Sequence, residues 1–289
     1  MACYDLHLHT EWSYDAFSTV EEYFEMAHDQ NVRAIAITDH HTMDGYGDVL
    51  AAAAKYPDVG YLCGAELTVH CDVGEYDLVC LNLPRQPSVA LAPVWDLYHN
   101  WQRAYGHAVS VNLCARGFAF DDDERLRLLK TYRPAKAIAV QGNTHVRHWT
   151  MMEYCIEHGF CRDAEAYVKL RDSYTNVPDY PEFDQVIPAV KRVGGIILLA
   201  HPCEYHLEDD RKRLDHLREL FVLDGIEAGH AYMNADMVKY FRGYCDTYGL
   251  LSSGGSDLHN PEKRQFARHL APEFWLDELL ERATLHHGA

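Results

Sequence analysis

Eight short apolar runs, separated by amphipathic helical patterns, restrict this chain more than any other feature of its sequence. The runs are YDLHLH, RAIAITDH, GYLCGAEL, YDLVCLNL, KAIAVQG, GGIILLAHP, LDGIEAGH and GLLSSGGSD. Each is short and rich in branched or small apolar residues, the pattern of β-strands. Between most of them lie helices. TVEEYFEMAHDQ (19–30) opens with Thr19 as N-cap and Glu22 three residues on, a capping box. FDQVIPAVKRVGG (183–195) ends in glycines, a normal helix stop. Alternating strands and helices predict an α/β fold with parallel strands and helices outside.

Residues 86–182 break the alternation, with few strand signals and helix-like runs at 148–159 (HWTMMEYCIEHG) and 163–172 (DAEAYVKLRD). This predicts a mostly helical insertion, 86–182, between two parts of a barrel, 1–85 and 183–289. VPDYPEF (177–183) marks the return. With 289 residues, 48% of them hydrophobic, the chain can bury a sizeable core. Its net charge of -18 disfavours long nucleic acid as a partner, because no basic stripe offers counterion release. Nine scattered cysteines without a C-x-x-C pair read as reduced thiols in a cytoplasmic protein. The charged DLHLHTE near the start argues against a signal peptide, and no apolar run reaches the ~18 residues of a membrane span.

Polar residues collect where the strands end. In a strand, residues i and i+2 share a face, so His7 and His9 point together while Leu6 and Leu8 face apolar packing. Asp15 follows. The second run ends in Asp39, His40 and His41, the third in Glu66, a later one in His201, and the last in Asp257 and His259; the fourth holds Asp77. In a parallel barrel these ends open onto one face, where active sites are built. Several residues have blander expectations. Asp39 and Asp44 are read as helix caps, His41 as lying beside the ligands or in solvent, and His70 as a turn residue. His28, His99, His107, His158, His216, His269, His286 and His287 are read as surface or helix-face residues. Imidazole with carboxylate suits Mn2+, Fe2+ or Zn2+ rather than Ca2+ or Mg2+. So many ligands fit two or three divalent ions, which lower the pKa of water and neutralise phosphoryl oxygens.

HLHT…D, TDHHT, GAE, AHP and GSDLH, in that order, resemble the polymerase and histidinol phosphatase (PHP) family over roughly residues 1–85 and 183–265. The resemblance implies a distorted (β/α)7 barrel with a helical insertion, and a metal-dependent phosphoesterase with Mn2+ the favoured ion. It also implies a ligand set. His7 and His9 hold a first metal with Glu66 and Asp257. Glu66 bridges to a second, also held by His201. Asp15, His40 and His259 hold a third. In related chains with an insertion, that segment covers the site and helps bind phosphate.

Two phrases depart from the family. Where it has a histidine about ten residues after the bridging Glu, EYDLVCLNL places Asp77, read as a ligand with a strand-edge role as the alternative. Where nucleotide-hydrolysing relatives carry G-R-P-H, this chain has GNTH, with Asn143 in place of Arg and His145 kept. Arg gives bidentate phosphate contacts that Asn cannot reproduce; Arg116, Arg147 and His148 are the compensating candidates. His230, with His201 and Asp257, is a candidate catalytic group that also contacts substrate. The expected reaction is attack of metal-held hydroxide on phosphorus of a small phosphorylated metabolite. The favoured substrate is 5-phosphoribosyl 1,2-cyclic phosphate, giving ribose 5-phosphate and phosphate. A nucleotidase or short-oligonucleotide exonuclease is the second reading, and a non-catalytic metal or phosphate-binding module the third.

Overall fold

The computed structural model describes residues 2–86 and 88–288. Two compact units make up the chain: Met1–Trp95 with Pro181–Ala289, and Asp96–Tyr180. The first unit opens with β1 (Tyr4–Leu8), α1 (Val20–Asp29), β2 (Ala34–Ile37), α2 (Tyr46–Lys55), β3 (Gly60–Cys71) and β4 (Gly74–Leu81). The capping box forms at α1: Glu22 N donates to Thr19 Oγ1 at 3.2 Å and Thr19 N to Glu22 Oε2 at 2.7 Å.

Five helices follow: α3 (Ala92–Ala115), α4 (Asp122–Leu129), α5 (Ala135–Gln141), α6 (His148–Glu157) and α7 (Ala164–Asp172). The first unit then resumes with α8 (Phe183–Arg192), β5 (Ile196–Leu199), α9 (Arg211–Leu220), β6 (Gly225–His230), α10 (Ala235–Tyr248), β7 (Leu251–Gly255) and α11 (Glu273–Leu280). The seven strands run in sequence order around one sheet, and a bridge between Leu8 and Leu258 brings its two edges together. This is a nearly closed α/β barrel. Every residue of β1, β2, β5, β6 and β7 is buried, which is why these strands read as apolar runs.

The expectation of parallel strands throughout fails in the middle. β3 pairs antiparallel with β4, and β4 antiparallel with β5; the other pairs are parallel. The reason is the turn. β3 runs on to Cys71, and only Asp72 and Val73 separate it from β4, whose first residue Gly74 has φ 123°. A two-residue turn can join only antiparallel strands. His70 is therefore a strand residue, its amide donating to Pro181 O at 2.9 Å, and not part of a turn. The run KAIAVQG is helix α5, not a strand. Pro134 presets the start, and the buried residues, Ala137 and Gln141, are spaced i, i+4.

Two carboxylates, Asp5 fully buried and Asp224 partly so, fasten the first unit. Asp5 accepts from Ser256 N at 2.9 Å and Ala267 N at 2.8 Å, tying β1 to the chain beyond β7. Beside it His269 donates to Tyr4 O at 2.7 Å, so this histidine fastens a strand instead of decorating the surface. Asp224 accepts from Ile197 N at 2.8 Å, from Arg282 Nη2 at 2.5 Å and from Lys191 Nζ. In the second unit, Val109, Leu113, Phe120, Met151, Tyr154, Cys155 and Tyr167 form a separate core. No helix among the described residues is long and apolar enough to cross a membrane.

Candidate metal centre

β1 and the residues after it supply the first candidate ligands. His7 and His9 stand with ring centroids 5.0 Å apart, His7 1% and His9 0% exposed. The loop beyond is held by Asp39, which accepts from Thr10 N at 2.6 Å, Thr10 Oγ1 at 2.8 Å and Ser13 Oγ at 2.9 Å. Asp39 thus clamps a loop; α2 starts at Gly45 without a side-chain cap, so neither Asp39 nor Asp44 caps it. Ser13 gives its one proton to Asp39, so its oxygen accepts from His40 N at 2.9 Å and from His9 Nδ1 at 3.2 Å. That leaves the His9 Nε2 lone pair turned inward.

Glu66, in the middle of β3 and fully buried, is the centre of the arrangement. Its Oε1 lies 3.2 Å from His7 Nε2 and 3.0 Å from His201 Nε2. Its Oε2 lies 3.2 Å from His9 Nε2 and 3.0 Å from His40 Nδ1. Each oxygen faces its own pair of imidazoles. Asp257 Oδ1 is 3.2 Å from His9 Nε2 and 3.7 Å from His7 Nε2.

Among the described residues, four overlapping groups have ligand atoms within 4.8 Å of one another: His7, His9, Glu66 and Asp257; Glu66, Asp77 and His201; His9, His40 and His259; and Glu204, His230 and Asp257. Asp15 Oδ2 adjoins the third group, 3.5 Å from His40 Nε2 and 3.4 Å from His259 Nε2.

Asp77 lies inside β4, its Oδ2 3.7 Å from His201 Nε2. Both its oxygens accept hydroxyl protons, Oδ1 from Thr68 at 2.5 Å and Oδ2 from Tyr205 at 2.8 Å. Thr68 Oγ1 accepts in turn from His41 Nε2 at 2.9 Å. His41 is fully buried behind Asp77, so the solvent placement does not hold for it. His41, His201 and Asp257 all have positive φ (63°, 24° and 50°), a region uncommon outside glycine, and all three lie at this centre.

Burial opposes charge at this centre; at His40 it prevails and lowers the imidazole, whereas at His7, His201, His259 and Asp257 the field of the neighbours outweighs it. Glu66 and Glu227 raise His7 well above the ordinary imidazole value. Glu66, Asp77 and Asp257 push His201 up to about 10. His259 is raised by Asp15 and Asp257, while Asp257 is held well below the carboxylate range by His259, His230 and His9. The field favours positive charge, and bound cations would supply it. A second observation agrees. His7 Nε2, His9 Nε2, His40 Nδ1 and Glu66 Oε2 are buried close to one another but have no hydrogen bond. Mixed imidazole and carboxylate donors converging in this way fit divalent transition metals.

The sequence reading missed Glu204, which joins His230 and Asp257, and four residues that hold the group from behind. Glu227 in β6 accepts from His201 N at 2.8 Å and lies 3.1 Å from His7 Nδ1. Tyr205 and Thr68 hold Asp77. Arg264 donates to Asp257 Oδ2 at 2.8 Å and to Asp257 O at 2.5 Å, and its guanidinium stacks 4.2 Å from the centroid of Tyr232. A glutamate inside the apolar GIEAGH was the one available signal, since a buried charge needs a partner. Of the expected catalytic groups, His230 is fully buried, with Nε2 3.7 Å from Asp257 Oδ2.

The other substrate-contact candidates belong to the second unit. Arg116 donates to Asn112 O at 2.7 Å and Ser173 O at 2.7 Å. Arg147 donates to Thr150 Oγ1 at 2.6 Å and stacks over Tyr132. His145 packs edge-on against Trp101 and Tyr105, and His148 against Tyr167, where burial lowers its pKa. Asn143 accepts from Arg125 Nε at 3.1 Å and donates to Asp122 O at 2.8 Å.

Three known proteins are similar to this chain. A curated relative, a 5'-3' exoribonuclease of Haemophilus influenzae, is 24% identical over 269 residues, 89% of this chain and 90% of the relative. The crystal structure of a Bifidobacterium adolescentis protein named as a metal-dependent phosphoesterase superposes with a TM-score of 0.71 at 21% identity, over 97% of this chain and 96% of that one. An amidohydrolase from Chromobacterium violaceum, with bound sulfate, gives 0.72 at 22% identity over 100% and 99%. The PHP domain model matches residues 5–221, and the chain therefore belongs to the PHP domain family.

Proposed function

We propose that the chain hydrolyses a small, doubly phosphorylated metabolite, with 5-phosphoribosyl 1,2-cyclic phosphate as the favoured substrate. The observation that carries the phosphoesterase reading is Glu66, whose two oxygens each face a different pair of imidazoles. A carboxylate so placed suits two adjacent cations, the arrangement that clamps the attacking and leaving oxygens of an in-line displacement. Ions held by His7, His9, Glu66, Asp257, His201, Asp77, Asp15, His40 and His259 would supply hydroxide at neutral pH and offset phosphoryl charge.

The chain's own contribution on the leaving side is His230. Its Nδ1 accepts from Tyr232 N at 3.4 Å, so Nε2 carries the proton. That nitrogen is buried and has no hydrogen-bond partner, and it donates to the departing oxygen. One water opens the cyclic ester by replacing one P–O bond. A second water replaces the remaining ester bond and frees phosphate.

The choice of a sugar phosphate over a nucleotide rests on Asn143. The residue that replaces the nucleotide-binding Arg of the family phrase is engaged by Arg125 and Asp122, as a brace of its own unit. The second reading, a nucleotidase or an exonuclease acting on short strands, draws support from the similarity to the exoribonuclease. The net charge of -18 weighs against long polymers in either case.

The deciding experiment follows Mn2+-loaded protein and the cyclic phosphate by phosphorus NMR. Ribose 5-phosphate and free phosphate should form at roughly 1–100 per second. No turnover in protein of confirmed metal content removes this substrate, and hydrolysis of nucleoside bisphosphates in the same assay would then establish the second reading.

A further inference from the structure

We propose that Glu227 is a positioning residue that fixes His7 and His201 together and thereby sets the metal affinity of the centre. The inference rests on the reading of those two histidines as ligands. Glu227 sits in β6, where every residue is buried, and is itself 1% exposed. It is in none of the ligand groups. Its two oxygens go to two different ligands.

Oε1 lies 3.1 Å from His7 Nδ1. A buried carboxylate at that distance accepts a hydrogen bond from Nδ1–H, which leaves Nε2 as the nitrogen open to a metal. Nε2 is the nitrogen that faces Glu66 Oε1 at 3.2 Å. A carboxylate behind a ligating imidazole fixes its tautomer and raises its basicity. Oε2 accepts from the backbone N of His201 at 2.8 Å. His201 has φ 24°, a conformation that needs an external hold, and this bond supplies one at the residue whose Nε2 faces the same Glu66 oxygen.

The surroundings are shaped for this contact. A Cβ on Gly255 of the neighbouring strand would lie 2.6 Å from Glu227 Oε1 and 2.3 Å from His7 Cβ. Glycine there lets the carboxylate and the imidazole meet.

The test is Mn2+ binding by equilibrium dialysis and elemental analysis, on wild type, Glu227→Ala and Glu227→Gln. The Ala variant should bind about 10–100-fold more weakly. Gln keeps the volume and an accepting oxygen but loses the charge, so it should fall between the two and guards against a variant that does not fold. Nitrogen-15 spectra of the Zn2+-loaded wild type should show His7 protonated on Nδ1, a signature that a purely packing role would not require. Wild-type Mn2+ affinity in Glu227→Gln, or a proton on Nε2 of His7, overturns the inference. A wild type that takes up no metal overturns the ligand reading beneath it as well.

Discussion

Replacing Gly255 by alanine should damage the metal centre without changing any candidate ligand residue. The added Cβ would meet His7 Cβ at 2.3 Å and His7 N at 3.0 Å. Carbon atoms in contact normally sit about 3.5–4.0 Å apart, so His7 must retreat by more than ~1 Å. His7 is in the fully buried β1, so it can retreat only if the strand moves. Overpacking of this kind costs about 1–3 kcal/mol. At roughly 2 °C per kcal/mol for a chain of this size, the unfolding midpoint of the metal-free protein should fall by about 2–6 °C. The displacement is also about twice the ~0.5 Å tolerance of a preorganised site, so Mn2+ should bind at least ~10-fold more weakly. Gly243→Ala is the control. It lies within α10 with nothing within 4 Å of its added Cβ, and alanine there should stabilise by up to about 1 kcal/mol. Thermal unfolding by circular dichroism, with and without Mn2+, measures both effects. A Gly255→Ala protein with wild-type midpoint and wild-type metal content would refute the reasoning.

Three further outcomes are expected. Asp224 is held below the usual carboxylate range, because Ile197 N, Lys191 and Arg282 outweigh the cost of burial. Its contribution is therefore complete above the unfolded value of ~3.9 and is lost as pH falls through the lower, folded value. Asp224→Asn should cost about 1–3 kcal/mol at neutral pH and flatten the fall in urea stability between about pH 5 and pH 2. Chelation should abolish phosphate release, Mn2+ should restore it, and ions at 100-fold over their dissociation constant should add about 2.7 kcal/mol to stability. Asp77→Asn leaves Thr68 or Tyr205 without an acceptor, so it should destabilise by about 1–3 kcal/mol; elemental analysis should show reduced metal content as well.

The gathering of the candidate ligands at strand ends was legible because strand geometry alone aligns His7 with His9, and because the D-H-H, G-A-E, A-H-P and S-D-L-H phrases recur at one kind of position. Thr68, Tyr205 and Arg264 were not, since each acts through another residue and leaves no spacing to read, and Glu227 left only its charge inside an apolar strand. The antiparallel pairing of β3 with β4 was hidden by the length of β3. TVHC continues the strand past Glu66, but its two polar residues resemble the start of a loop. KAIAVQG misled for the opposite reason. Its apolar density suits a strand, and only the Pro134 before it and the i, i+4 burial inside it mark a helix. Asn143 was legible as a departure from a family phrase, while its bonds to Arg125 and Asp122 depend on residues about twenty positions away.

The antiparallel pairing of β4 with β5 bears on where this barrel can accept new chain. These neighbours are connected through residues 82–195. Closing a flexible loop costs only about 0.6 kcal/mol for each doubling of length, so a loop of that span costs about 3 kcal/mol more than a four-residue turn. A segment with its own buried core, built on Leu113, Phe120 and Cys155, holds much of that length in one conformation and lowers the cost further. Antiparallel strands need only that the chain leave and return at the same end, whereas a parallel pair requires a crossover to the opposite end. The β4–β5 junction can therefore exchange a long segment for another while the order and pairing of all seven strands stay as they are.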